Sequence, residues 1–174
     1  ISLRLKLVPY SSENCNTTVS SAVKAAFVTD LGADLAIFYK ETDFVNAALD
    51  WTEGEGVDLA FDTIGGKIFE ATFPAVQIYG DLVTILQPDS SVNWKTARDR
   101  NLRISLEIML TPMLKKLQFA QKHQAQILSE SARLFDEGKL QIHVSQVLPL
   151  SDAAEAHRLI EMGSTTGKIV LEIG

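Results

Sequence analysis

Residues 57–66 read Val-Asp-Leu-Ala-Phe-Asp-Thr-Ile-Gly-Gly, and residues 80–87 read Gly-Asp-Leu-Val-Thr-Ile-Leu-Gln. Each segment is a short apolar run that ends in small or polar residues, and a helix-length gap separates the two. This pattern predicts two buried parallel strands that are joined by a crossover helix. The small residues fall where the chain would leave the carboxyl edge of a sheet, which is where α/β proteins hold ligands.

The same alternation of strands and helices extends over most of the chain. Helical periodicity fills the gaps between the apolar runs, and the longest helix is predicted over 112–138. Strands alternating with helices indicate an α/β fold, in which a mostly parallel sheet is covered by helices on both faces. The predicted strands lie at 17–19, 35–39, 57–64, 82–86, 102–109, 141–148 and 168–173.

Composition narrows the class of protein. A chain of 174 residues suits one domain with a real core. The net charge of −6, with acidic and basic residues mixed along the chain, argues against a nucleic-acid partner. No apolar run reaches the roughly 18 residues that would span a bilayer, and the start of the chain lacks the continuous apolar stretch of a secretory signal. We therefore expect a cytoplasmic protein without a membrane partner.

Cysteine and histidine are too sparse for a metal centre. Cys15 is the only cysteine, so an internal disulfide is impossible and a reducing compartment is expected. The three histidines are scattered along the chain, which makes a closed zinc site within this chain unexpected. The sequence also contains no Gly-x-Gly-x-x-Gly, the turn on which many α/β proteins place a pyrophosphate.

Several segments, in order and spacing, resemble one known family. They are Leu-Gly-Ala-Asp-Leu-Ala-Ile-Phe-Tyr-Lys at 31–40, residues 56–66, the ending Leu-Pro-Leu-Ser-Asp-Ala-Ala-Glu-Ala-His-Arg-Leu-Ile-Glu-Met-Gly at 148–163, and Gly-Lys-Ile-Val-Leu at 167–171. The chain resembles the medium-chain dehydrogenase/reductase superfamily, and within it the quinone-reductase-like branch, often labelled zinc-binding or zinc-containing alcohol dehydrogenase. The match covers residues 17–174, and the segment 1–16 is unmatched.

The resemblance implies the C-terminal, NAD(P)-binding domain of such an enzyme. That domain has a Rossmann-type fold, and here we expect it to lack its first strand and glycine-rich turn. The family's N-terminal catalytic domain, which would carry the acceptor site and any zinc ligands, is also absent from the sequence. We therefore expect no catalytic residue in this chain, no activity from the isolated chain, and weak coenzyme affinity.

Residues near the end of the second strand of the family sheet predict the choice of coenzyme. An NAD-specific site would show an acidic residue there, but the chain has Ser20 and Ser21, with Lys24 one turn later. Small hydroxyls beside a cation suit a 2′-phosphate. By resemblance, Lys24 and Tyr39 match a lysine and a tyrosine that contact the 2′-phosphate in NADPH-dependent quinone reductases. NADP(H) is therefore expected rather than NAD(H). The alternative is that Lys24 is a solvated helix residue and Tyr39 a packing residue.

Two further loops would face the nicotinamide half of the coenzyme. In relatives, the loop that holds Asp62, Thr63 and Gly65 passes near the nicotinamide ribose. Leu86 and Gln87, after the next strand, would lie beside the nicotinamide ring. The alternative for the first loop is a strand-to-helix turn that binds no ligand. The alternative for Leu86 and Gln87 is a solvent-exposed strand end.

The expected reaction of the parent enzyme is hydride transfer between NADPH and a carbonyl or quinone-like small molecule. The resemblance also implies that residues 102–110 pair with a second copy to form a homodimer; alternation places Leu102, Ile104, Leu106 and Ile108 on one side of that strand. The alternative for this strand is burial within the monomer. Two other functions stay open: an inactive fragment that mainly self-associates, and another nucleotide-binding protein such as a methyltransferase or a nucleotide-sensing regulator.

Overall fold

The computed structural model describes residues 14–163 and 165–174, so most of the unmatched segment 1–16 lies outside the described residues. The described chain divides into two compact units, residues 14–125 and residues 126–174. The helices and strands, in chain order, are β1 (Asn16–Val19), α1 (Ala22–Asp30), β2 (Leu35–Phe38), α2 (Phe44–Trp51), β3 (Val57–Asp62), α3 (Gly66–Ala71), β4 (Val76–Thr84), α4 (Lys95–Asp99), β5 (Arg103–Leu106), α5 (Thr111–Leu114), α6 (Gln118–Asp136), β6 (Val144–Pro149), α7 (Ala153–Glu161) and β7 (Lys168–Glu172).

Every strand pairing in the described part of the chain is parallel. In the first unit β1 pairs with β2, and β3, β4 and β5 form a three-stranded sheet in that order. In the second unit β6 pairs with β7. The Rossmann strand order 3-2-1-4-5-6 places the first strand between the second and the fourth. In the described residues the break between the two sheets falls between β1 and β3, which would be the second and fourth strands of that order.

The core of the first unit lies on one face of the three-stranded sheet. Ala60 of β3, Leu82 of β4 and Ile104 of β5 are aligned across the sheet, and they pack against helical segments that follow β3 and β4. The buried side chains of this cluster are Phe69, Phe73, Leu82, Val92 and Ala97. On the opposite face of β3, Leu59 and Phe61 are 60% and 51% exposed.

Helix α2 connects the two sheets of this unit. Asp43 begins the helix because its carboxylate accepts a hydrogen bond from the Val45 amide at 2.9 Å, an N-cap that satisfies a free donor. Ala48 of α2 packs with Ile37 of β2 and with Ala75, which lies in a 3₁₀ turn (Phe73–Ala75) just before β4. Helix α2 therefore packs on β2 of one sheet and on the turn that leads into β4 of the other.

The single helix predicted over 112–138 is wrong. The chain forms α5 and α6 with a break between them, because Lys116 has a φ of 55° and the Leu117 amide bonds the Pro112 carbonyl at 2.8 Å. This pattern is the left-handed helix ending that glycine usually supplies. A lysine at that position gives no signal of it in the sequence.

Strand β4 begins earlier than predicted, at Val76 rather than Leu82. Val57 pairs with Val76 but Leu59 pairs with Asp81, so β4 carries extra residues opposite β3. Tyr79 lies in this bulge with a φ of 64°. Across the described residues, no helix is both long and apolar enough to cross a membrane.

Candidate functional site

The first group of predicted site residues lies at the carboxyl edge of β1 and β2. Val19 and Phe38 are register partners at the ends of the two strands, and the Tyr39 amide donates to the Val19 carbonyl at 3.3 Å. Ser20 follows Val19 directly, so Ser20 and Tyr39 are neighbours across this edge. Tyr39 is 50% exposed, which leaves its ring and hydroxyl accessible.

Helix α1 places the remaining two residues of this group at the same edge. Ser21 is the N-cap of α1, and its hydroxyl accepts a hydrogen bond from the Lys24 amide at 3.4 Å. Lys24 therefore lies in the first turn of α1, beside the strand ends. Over residues 14–163 and 165–174, no ion pair links the Lys24 ammonium to a carboxylate. The edge thus combines hydroxyls with Lys24, and a second lysine, Lys40, follows Tyr39 in the chain.

The second group lies at the carboxyl edge of β3 and β4, where it is organised by a buried carboxylate. Asp62 ends β3 and is the register partner of Thr84, which ends β4. One carboxylate oxygen of Asp62 accepts from the amides of Ile64 and Gly65, each at 3.0 Å, and the other accepts from the Thr84 hydroxyl at 2.8 Å. The Thr84 hydroxyl oxygen in turn accepts from the Leu86 amide at 3.2 Å.

Glycine is required at position 65 by both conformation and space. Gly65 has a φ of 72° and a ψ of −160°, a region that essentially only glycine adopts. A β-carbon built there would lie 2.9 Å from Cδ1 of Leu86. The loop after β3 and the loop after β4 are therefore in close contact. Thr63 is half-buried in the same loop, and the exposed Gln87 donates from its side chain to the Pro88 carbonyl at 3.4 Å.

The structure therefore gathers the predicted residues into two groups in one unit. Ser20, Ser21, Lys24 and Tyr39 form the first, and Asp62, Thr63, Gly65, Leu86 and Gln87 form the second. The sequence analysis missed Thr84, although a polar residue inside the apolar run 82–86 was an available signal. Thr84 is only 1% exposed, so its hydroxyl forms hydrogen bonds with protein groups and not with solvent.

An ion pair that lowers the pKa of its carboxylate lies elsewhere in the three-stranded sheet. Asp81 of β4 and Arg103 of β5 are register partners, and the Arg103 guanidinium donates to the Asp81 carboxylate at 2.8 and 2.5 Å. This hydrogen bond holds the pKa of Asp81 below its usual value. The pair lies on the sheet surface, three residues before the carboxyl end of β4.

The described residues do not fit a zinc ion. Across 14–163 and 165–174 there is no group of three or more histidine, cysteine, aspartate or glutamate side chains that could hold a metal. A structural or catalytic zinc needs at least three such protein ligands.

Comparison with known proteins identifies the family. Residues 31–171 match the family model of the zinc-binding dehydrogenases. A probable quinone oxidoreductase of Schizosaccharomyces pombe is 28% identical over 162 residues, covering 88% of this chain and 46% of that protein. A hybrid polyketide–nonribosomal peptide synthetase, pynA of Aspergillus niger, is 29% identical over 176 residues, covering 97% of this chain and 4% of that protein.

Solved structures agree with this match. An NAD-dependent alcohol dehydrogenase superposes with a TM-score of 0.76 at 29% identity, over 92% of this chain and 44% of that chain. The mycobacterial protein Rv1454c, solved with NADPH, superposes with a TM-score of 0.78 at 24% identity, over 92% of this chain and 50% of that chain. The chain thus spans about half the length of these solved relatives. The predicted Rossmann-type α/β fold is confirmed, and so is the resemblance to the C-terminal cofactor domain of medium-chain dehydrogenases/reductases: the chain belongs to the zinc-binding dehydrogenase family.

Proposed function

We propose that this chain is the coenzyme-binding part of an NADPH-dependent oxidoreductase that passes hydride to a carbonyl or quinone-like acceptor. The preference for NADPH over NADH is inferred from the residues at the carboxyl edge of β1 and β2. Three hydroxyl-bearing residues and Lys24 lie there, and Ser20 occupies the place where an NAD-specific site has a carboxylate.

The chemistry of this edge favours a dianionic phosphate. The Lys24 ammonium supplies a positive charge, and the hydroxyls of Ser20, Ser21 and Tyr39 can donate hydrogen bonds to phosphate oxygens. Two carboxylates follow Tyr39: Asp43 is engaged in capping α2, and Glu41 is exposed in the turn after β2, whereas the position directly after β1, where an NAD-specific site has its acidic residue, holds Ser20. A ribose 2′-phosphate would therefore meet donors here, whereas the free 2′-hydroxyl of NAD(H) would lack its usual acidic partner.

The second edge would receive the nicotinamide half of the coenzyme. When bound, the coenzyme supplies the hydride, and the protein contributes placement and exclusion of water. The loops after β3 and β4, with Thr63, Gly65, Leu86 and Gln87, would shape this end of the crevice. The residues that bind the acceptor are proposed to belong to the rest of the enzyme, so the isolated chain should be inactive and bind its coenzyme weakly.

Calorimetric titration with NADPH and NADH tests the coenzyme proposal. Replacing Lys24 with alanine removes a charge-assisted hydrogen bond, which corresponds to a loss of affinity for NADPH of about tenfold or more. Affinity for NADH should not change. Lys122→Ala is the matched control, because Lys122 is an exposed lysine of α6. Equal losses for both coenzymes would contradict 2′-phosphate recognition.

Binding of S-adenosylmethionine instead of NADPH would favour the other nucleotide-binding class and overturn the proposal. Tight micromolar binding of NADPH would support the coenzyme while contradicting the expected weak affinity. The two results are separable in the same titration series.

We also propose self-association through residues 102–110, because a specific surface favours it. Strand β5 pairs only with β4 in the described chain, so its outer edge is free to pair with another strand. The apolar residues of this segment have two different environments. Leu102 and Ile104 pack on the core, whereas Leu106 and Ile108 are 56% and 58% exposed. Met109 is 78% exposed, which extends the apolar surface.

Sedimentation at several concentrations tests the homodimer. Ile108→Lys should shift the chain toward monomer because it places a charge in the apolar surface. Ile173→Lys is the control, since Ile173 is exposed near the end of the chain, outside this segment. A wild-type chain that stays monomeric at every concentration would rule out self-association, whether as a dimer contact of an enzyme or as the main role of an inactive fragment.

A further inference from the structure

Asp62 and Thr84 form a buried polar bridge between the ends of β3 and β4. Their side chains are register partners, and the residues are only 5% and 1% exposed. The Asp62 carboxylate accepts the Thr84 hydroxyl at 2.8 Å. We call this contact, with the backbone amides attached to it, the Asp62–Thr84 bridge.

The bridge holds two loops at once. On one side Asp62 accepts from the amides of Ile64 and Gly65, and on the other side Thr84 accepts from the amide of Leu86. These hydrogen bonds fix the first residues after β3 relative to the first residues after β4. In the proposed function, both loops face the nicotinamide half of the coenzyme.

The hydrogen-bond inventory of Asp62 argues against direct contact with a ligand. Both carboxylate oxygens already accept hydrogen bonds from the protein, and the side chain is buried. A buried carboxylate is costly unless it is fully bonded, so a ligand that displaced one of these donors would leave a protein amide or hydroxyl unpaired. The groups that a ligand can reach are instead the exposed parts of the loops that Asp62 holds.

Packing between the loops makes their arrangement sensitive to the bridge. The Leu86 side chain lies against Gly65 so closely that no β-carbon fits between them. Leu86 is still 40% exposed, so one part of the side chain contacts Gly65 while another part faces solvent. Movement of either loop would therefore move the surface that Leu86 presents.

We propose that Asp62, through Thr84, is a positioning residue that preforms the nicotinamide end of the crevice without touching the coenzyme. This inference rests on the proposed function. It assigns Asp62 a different role from the direct coenzyme contact expected from the resemblance. Because the loops are fixed before binding, the coenzyme does not have to order them, and a preformed site loses less free energy on binding.

Two sets of measurements test the proposal. Hydrogen exchange of the amides of Ile64, Gly65 and Leu86 reports whether the bridge holds the loops. Titration with NADPH and with adenosine 2′,5′-bisphosphate, which contains only the phosphorylated adenosine end, reports whether the bridge serves the nicotinamide end. The variants are Thr84→Val, which keeps the shape but removes the hydroxyl, and Asp62→Ala. Thr84→Ser is the conservative variant, and Asp50→Ala, at an exposed carboxylate of α2, is the control.

We expect Thr84→Val and Asp62→Ala to speed exchange at these loop amides by about tenfold or more, since a hydrogen bond to a charged group is lost. Exchange in β2, on the other sheet, should not change. Affinity for NADPH should fall by a similar factor, while affinity for adenosine 2′,5′-bisphosphate should stay at the wild-type value. Thr84→Ser and Asp50→Ala should behave as wild type in both measurements.

Exchange rates that remain at wild-type values in both variants would overturn the positioning role. Faster loop exchange with unchanged NADPH affinity would overturn its connection to the coenzyme, and so would equal losses for both ligands. A wild-type chain that binds neither ligand would refute the proposed function and the coenzyme role together, while the exchange rates would still show whether the bridge holds the loops.

Discussion

Replacing Gly65 with alanine tests how tightly the structure constrains the edge of β3 and β4. The backbone at Gly65, with φ 72° and ψ −160°, lies in a region where other residues cost about 1–3 kcal/mol. The new β-carbon would also lie 2.9 Å from Cδ1 of Leu86, and turning that side chain aside costs about 0.5–1.5 kcal/mol.

The unfolded state offsets part of this destabilisation. Alanine has less backbone freedom than glycine when unfolded, which stabilises the variant by about 0.4–1 kcal/mol. The net loss of free energy of unfolding is therefore expected to be about 0.5–4 kcal/mol. In a chain of this size, each kcal/mol lowers Tm by about 2–4 °C.

Urea unfolding followed by tryptophan fluorescence measures the effect. Trp94 is a suitable probe because the centre of its ring lies 5.8 Å from the centre of the Phe69 ring. Phe69 belongs to α3, the helix that follows Gly65. Gly66→Ala is the neighbouring control: its φ is 55°, but a β-carbon there has no atom within 4 Å. We expect Gly66→Ala to cost about 1 kcal/mol or less.

A double variant, Gly65→Ala with Leu86→Ala, separates the two causes. Removing the Leu86 side chain should recover the part of the loss that comes from the contact, but not the part that comes from the backbone. The reasoning is refuted if Gly65→Ala costs no more than Gly66→Ala, since the special conformation and the close contact would then have no energetic consequence.

Three further changes have defined outcomes. Phe73→Ala should cost about 3–5 kcal/mol in urea unfolding, because Phe73 is fully buried and its ring lies 5.1 Å from that of Phe69; wild-type stability would contradict this core. Tyr79→Asn should raise the free energy of unfolding, measured in urea, by up to about 1 kcal/mol, because a tyrosine at a φ of 64° is strained and asparagine tolerates this region better; a lower free energy of unfolding would mean that contacts of the tyrosine ring outweigh the strain. Asp81→Asn should reduce the loss of stability in acid. The hydrogen bond from Arg103 lowers the pKa of Asp81 in the folded state, so its contribution to stability is present above the ordinary carboxyl pKa and is lost as pH falls through the lowered pKa; urea midpoints between about pH 2 and 6 should therefore decline less in the variant than in wild type.

Local patterns in the sequence were sufficient for most elements of the first unit. The strands predicted at 17–19 and 35–39 are confirmed as Asn16–Val19 and Leu35–Phe38, because short apolar segments bounded by polar residues mark both. The predictions failed where backbone conformation departs from residue preference. Lys116 and Tyr79 both have positive φ, and neither residue type signals a helix ending or a bulge.

The candidate site was predictable only in part, for a different physical reason. Residues that follow a strand can be placed at its carboxyl edge from the sequence alone, and this placed Tyr39 and Gly65 correctly at such edges. Register between strands cannot be derived that way. The pairing of Asp62 with Thr84 depends on the bulge in β4, which shifts every later residue of that strand relative to β3.

The two edges differ in how their polar groups are used, and this difference decides how a ligand would meet each one. At the first edge Tyr39 is half exposed and Lys24 has no ion-pair partner in the described residues, so these groups remain available to an anion. At the second edge the polar side chains of Asp62 and Thr84 are buried and bonded to the protein. Attraction of an anion to the half-buried Lys24 is partly screened by salt, whereas a buried hydrogen-bond network is screened much less. Added salt should therefore weaken binding of adenosine 2′,5′-bisphosphate and NADPH alike, without changing the exchange rates of the loop amides, so recognition of the phosphate and positioning of the loops can be measured independently in one protein.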